Sequence, residues 1–153
     1  MIPSLSNWRA LLAFLALIIV IGTIFYSRYL AAKIALEERN KVELWVSASK
    51  AIFDNPNLPL TLPNMIRNDQ TAIPIIETNE LDSIVNFINI DSTQAILDKN
   101  FLPAKLKEFK RDNEPFVLVL SDSPYIANKY YYGNTRLLKE VQWYPIIQLV
   151  IVG

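Results

Sequence analysis

Ala10-Leu11-Leu12-Ala13-Phe14-Leu15-Ala16-Leu17-Ile18-Ile19-Val20-Ile21-Gly22-Thr23-Ile24-Phe25-Tyr26-Ser27 carries no charge, with Trp8 and Arg9 before it and Arg28 and Tyr29 after it. At a rise of about 1.5 Å per residue, such a helix approaches the thickness of a bilayer's hydrocarbon core. It is apolar on every face, which a core helix of a water-soluble domain rarely is. Trp8, Tyr26 and Tyr29 stand where aromatic rings favour the headgroup zone, and Arg9 and Arg28 can snorkel outward from the two ends. The reading is a short N-terminal segment over 1–9 and a transmembrane helix over 10–29. A cleaved signal peptide fits less well, because its apolar region runs only about 7 to 15 residues and ends in small residues. Here Phe25, Tyr26, Arg28 and Tyr29 follow, and the nearest small pair, Ala31 and Ala32, runs into Lys33.

Moving outward, residues 27–53 contain neither Gly nor Pro and are rich in good helix formers in their first half, so the helix is expected to leave the bilayer unbroken. Glu37 and Lys41 stand four apart with the acid first, the favourable order. Ala35, Val42, Trp45, Ser49 and Ile52 fall on one stripe. Two readings of that stripe stand side by side: packing of the helix on its own domain, or a dimer seam. Asn55 and Pro56 end the helix.

Beyond it, the pattern predicts a loop over 55–63 and a short helix from Pro63 to Asp69. Strands are predicted over 72–77 and 83–90, joined through Thr78, Asn79, Glu80, Leu81 and Asp82. A helix capped by Asp91 or Ser92 starts at Thr93 and continues through Pro103 to about Arg111. Residues 116–120 and 125–132 are two further strands around a turn at 121–124, and Asn134 or Thr135 caps a last helix. The fold class is α+β: a membrane helix continuing into a long helix, then a PAS-like antiparallel sheet domain, the whole extracytoplasmic part covering 30–142.

The run 146–153 is apolar apart from Gln148 and too short to span a bilayer. Its β-branched content suits a terminal strand. Trp143, Tyr144 and Pro145 before it, and a helix leading into it, favour the start of a second transmembrane helix over 143–153 that continues past Gly153.

Composition excludes several chemistries. Lys plus Arg equals Asp plus Glu at 15 each, leaving no basic excess for nucleic acid. The chain has no Cys and no His, which removes disulfides, thiol nucleophiles, the usual general base and any phosphoaccepting imidazole. With no paired nucleophile and base, glycine-rich phosphate loop or metal cluster in view, no catalytic, cofactor-binding or metal-ligating residue is assigned. Tyr125, Tyr130, Tyr131 and Tyr132 are candidates to line a cleft, but adjacent strand residues alternate faces, so sheet packing is the simpler account. Asp82, Asp91, Asp98, Asp112 and Asp122 fit turns and caps better than a cation-binding loop. Charge leaves orientation open: cations after the helix outnumber those before it, but a following segment longer than about 60 residues crosses largely regardless of charge.

Three stretches carry a resemblance: 35–45 on the exit helix, 72–78 on the first strand, and Tyr130-Tyr131-Tyr132-Gly133 followed by Leu137-Leu138 and 143–148. Together they resemble the N-terminal sensory region of membrane sensor histidine kinases of the Bacteroidetes type. The resemblance implies a cytoplasmic N-terminus, a periplasmic domain between two spans of the inner membrane, a homodimer, and a kinase core after Gly153. ATP and Mg²⁺ would belong to that core, as would the response-regulator partner; within this chain the implied partner is the lipid bilayer. The family's phosphoaccepting histidine and ATP-binding motifs have no counterpart here. The competing class is a single-span, membrane-anchored periplasmic scaffold or assembly subunit.

Overall fold

A computed structural model of the chain describes residues 5–57, 59, 61–68 and 72–152. The elements in order are α1 (Leu5–Asp54), α2 (Thr61–Asn68), β1 (Ile75–Asn79), β2 (Ile84–Ile88), α3 (Ser92–Leu97), α4 (Phe101–Asp112), β3 (Phe116–Asp122), β4 (Tyr125–Tyr132) and α5 (Arg136–Val152). The protein is α+β, with a long apolar N-terminal helix and a four-stranded antiparallel sheet. It divides into two compact units. One holds the chain up to Ala35 together with the chain from Arg136 onward; the other holds Leu36–Thr135.

In the first unit, every side chain over 7–19 is exposed, including Leu11, Leu12, Phe14, Leu15, Leu17, Ile18 and Ile19. Among the described residues, α1 is the one helix long and apolar enough to cross a membrane, and its apolar window is only 6% buried. A protected stripe begins at Val20 and recurs through Thr23, Ile24, Ser27, Ala31 and Ile34, the helical spacing of one face. In α5, Leu138 and Val141 are buried while Pro145 and Gln148 are half-buried, again one face, and Trp143, Tyr144, Ile146, Ile147 and Leu149 are exposed. Residues 146–152 are helical, which removes the terminal-strand reading; Gly153 lies outside the described residues.

In the second unit, the strands run in the order β2-β1-β4-β3, so the last strand inserts beside the first and two hairpins are joined through α3 and α4. Ile75 pairs with Tyr132, Ile76 with Tyr131 and Glu77 with Tyr130. Alternation then sorts the side chains. Ile75, Tyr130, Tyr132 and Leu118 join Val42, Trp45 and Val46 of α1 in one core cluster. Ile76 and Tyr131 join Leu106 and Phe109 of α4 in another, on the opposite face. The sheet is thus covered on both sides, and Ile76, with 0% exposure, lies at its centre. The stripe on the exit helix packs on its own domain at Val42 and Trp45, which decides between the two readings of those residues.

Element boundaries moved where the backbone imposed a local rule. β1 starts at Ile75 rather than at Ala72, which has a left-handed φ of 54° and is followed shortly by Pro74, a residue with no donor for a ladder. The single helix expected over 93–111 is two. Asp91 caps α3, its carboxylate accepting from Thr93 and Gln94, and Asp98 ends it in extended backbone; α4 then begins at Phe101 with Pro103 in its first turn. The expected end of the short helix at Asp69 and the first residues of segment 1–9 lie outside the described residues.

Candidate functional site

The Glu77 carboxylate is carried onto the α1 side of the sheet by the same alternation that buries Ile75. Its Oε1 accepts from Asn128 Nδ2 at 2.9 Å and from the Tyr130 hydroxyl at 3.3 Å. Neither that oxygen nor Oε2 meets a cationic side chain among the described residues. Beside it lies a cavity of about 200 Å³ between the last turns of α1 and the sheet, lined by Trp45, Ser49, Phe53, Glu77, Asn128 and Tyr130 together with aliphatic side chains. The Trp45 and Tyr130 rings meet edge to face, with centroids 5.3 Å apart at 72°. The cavity combines aromatic walls, one carboxylate and a carboxamide, and none of its lining residues is basic.

The opposite face carries a polar hub on Asp82, which has a left-handed φ of 61° just before β2. Its Oδ1 accepts from the Tyr131 hydroxyl at 2.7 Å and from Lys129 Nζ at 3.1 Å, and its Oδ2 from Lys110 Nζ at 3.0 Å. These bonds, the one from Tyr131 foremost, hold the Asp82 pKa down at about 2 against a smaller opposing effect of burial. Burial and the facing carboxylate push the Tyr131 hydroxyl up to about 12. An open hollow borders the hub, lined by Asp82, Ile84, Pro103, Leu106, Lys107 and Lys110. The hub sets two cations on one anion and ties the β1–β2 turn, β4 and α4 together.

Two further polar contacts lie near the start of the second unit. Arg39 Nη1 donates to the Tyr132 hydroxyl at 2.9 Å and to the Glu114 carbonyl at 3.2 Å, and its guanidinium lies 4.4 Å from the Phe116 ring centroid. This is a brace between α1 and the sheet, of the kind a planar, permanently charged fork makes well. Glu38 is buried, its Oε1 accepting from the Thr135 hydroxyl and its Oε2 without a hydrogen-bond partner among the described residues.

The aromatic and acidic residues singled out in the sequence fall into distinct roles. Tyr131 and Tyr132 are buried core residues, Tyr130 is both core and cavity wall, and Tyr125 is exposed. Asp91 is a helix cap, Asp98 accepts from the Asn100 amide, Asp112 pairs with Arg111, and Asp82 is the hub. Among the described residues, no three acidic side chains converge as a metal site. Glu77 and Asn128 drew no notice in the sequence; their only signal is that both sit at inward positions of strands, where an apolar side chain is the norm. No protein family, curated protein or solved structure matches this chain.

Proposed function

We propose that the chain is the membrane-anchored, extracytoplasmic sensory region of a sensor histidine kinase in the inner membrane. The observation that supports this most is the continuity of α1, one helix from Leu5 to Asp54 whose stretch 7–19 is exposed and mostly apolar and whose Val42, Trp45 and Val46 pack in the core of the sheet unit. A helix of that kind serves as a bilayer anchor in one stretch and as a domain's packing element in another. The sheet of two hairpins joined through a helical crossover supports a PAS-like domain; its place on the periplasmic side follows from the resemblance alone. The exposed apolar face of α5 supports its role as the start of a second transmembrane helix.

On this reading, a stimulus that binds two conformations of the sheet domain unequally shifts their populations. Small sliding or rotation of α1 and α5 carries the shift to a kinase core after Gly153, where ATP, Mg²⁺ and a response regulator act. A homodimer would use the face of α1 that its own sheet leaves open, where Leu36 and Leu44 are exposed. The coding sequence after Gly153 tests the proposal: it should extend the apolar run to about twenty residues, then encode a helix bearing a histidine. The full-length product in membranes should then acquire acid-labile phosphate from ATP. A stop codon or an unrelated soluble domain would reject the kinase and leave the membrane-anchored scaffold.

A further inference from the structure

We infer that the cavity between the last turns of α1 and the sheet binds a small organic ammonium ion, held by the Glu77 carboxylate against the rings of Trp45 and Tyr130. The inference names the ligand class for the sensory reading above and rests on that reading only for the consequence of binding. Three observations carry it. The space is a cavity of about 200 Å³, enough for a cation of a few carbons. Its one ionised wall is anionic, and both donors to Glu77 fall on Oε1, so Oε2 is left without a partner among the described residues. Beside the aliphatic side chains its lining includes three aromatic residues, Trp45, Tyr130 and Phe53, whose rings are of the kind that attract a cation.

The alternatives fit the same walls less well. A carboxylate or phosphate ligand would meet Glu77 with no basic side chain to offset the repulsion. A purely apolar ligand would leave the carboxylate and the Asn128 carboxamide to be desolvated without compensation. An ammonium ion offsets the Glu77 charge while leaving its hydrogen bond from Asn128 in place, and its alkyl groups cover the apolar walls. The placement suits a signalling role, because Trp45, Ser49 and Phe53 belong to α1 while Glu77, Asn128 and Tyr130 belong to the sheet. A bound cation therefore draws the two together.

The test is calorimetric titration of the full chain in lipid nanodiscs with tetramethylammonium chloride, and with tert-butanol as a neutral probe of similar shape. Saturable binding of the cation with one site per chain is expected, with the alcohol weaker by about tenfold or more. Glu77→Gln keeps an acceptor for Asn128 and Tyr130 and should weaken cation binding by about tenfold without lowering the thermal midpoint. Asp82→Asn, on the other face of the sheet, should leave binding unchanged. Absence of saturable binding, equal binding of tert-butanol, or equal losses in the Glu77 and Asp82 variants would overturn the site. None of these results touches the sensory reading, which stands or falls on the sequence after Gly153 and on phosphorylation.

Discussion

The Tyr131 hydroxyl lies 2.7 Å from Asp82 Oδ1, joining the buried end of β4 to the left-handed residue that turns the chain into β2. The pair makes stability depend on pH at both extremes. Asp82 titrates at about 2 in the fold against 3.8 for a free side chain, so its contribution is complete above pH 3.8 and is lost as pH falls through about 2. Tyr131 titrates at about 12 against 10.0, so its contribution is complete below pH 10.0 and is lost as pH rises through about 12. Denaturation midpoints measured across pH should therefore fall on both sides of a broad plateau. Asp82→Asn should flatten the acid limb and also make the alkaline one shallower, because the Tyr131 pKa then falls back toward 10.0; an unchanged acid limb would show that other carboxylates set it.

Gly133 follows β4, and its amide donates to the Pro74 carbonyl at 3.0 Å. A methyl added there would stand 2.7 Å from Phe109 Cδ1 and closer still to Cε1. Phe109 is buried at 3% exposure in the α4 core, so the ring has little room to retreat. Gly133→Ala should cost about 1–3 kcal/mol by overpacking. Combining it with Phe109→Leu should recover part of that cost, whereas simple additivity in urea titrations would place the strain elsewhere.

What the sequence disclosed follows from how local each signal is. The strand 125–132 was legible because its turn residues and its run of aromatics coincide, and β4 occupies those residues. Trp45 and Val42 lie on the face that helical periodicity marks, and that face is the one against the sheet. The break at 98–100 has a local signal in Asp98 and Asn100 ahead of Pro103, but the apolar residues Ile96, Leu97, Phe101 and Leu102 on either side let the pattern read across it; in the fold Asp98 ends α3 and Asn100 takes the N-cap position of α4. The cavity was illegible for a different reason. Glu77, Asn128 and Trp45 are far apart in sequence, and their approach depends on β4 inserting beside β1, a pairing that no local pattern encodes.

Glu38 and Thr135 are 97 positions apart and joined through one hydrogen bond at a buried carboxylate whose second oxygen has no partner among the described residues. Removing the hydroxyl takes away a donor that water cannot replace at a buried carboxyl group. Thr135→Val should destabilise by about 1–3 kcal/mol. Replacing the acid as well, in Glu38→Leu/Thr135→Val, should return much of the loss, because a well-packed apolar pair leaves no buried polar group unpaired. A double-mutant cycle by chemical denaturation measures the coupling, and a value near zero would mean that the two side chains act independently.

Ile18 and Leu97 are both exposed apolar residues, at 50% and 80%, yet arginine should have opposite consequences at the two positions. Leu97 ends α3 in the sheet unit, where an exposed apolar side chain is ordinary and a charge changes stability by no more than about 0.5 kcal/mol. Ile18 lies mid-way along the uncharged run 10–27, in the stretch of α1 whose side chains are all exposed. If lipid covers that stretch, Ile18→Arg places a charge near the bilayer centre at a cost of about 2.5–3.5 kcal/mol. The wild-type chain and Leu97→Arg should resist alkaline carbonate extraction from membranes, and Ile18→Arg, more so Leu15→Arg/Ile18→Arg, should be released or fail to insert. Equal extraction of all of them would mean that the run is covered by protein rather than lipid, which would remove the anchor on which the sensory reading depends.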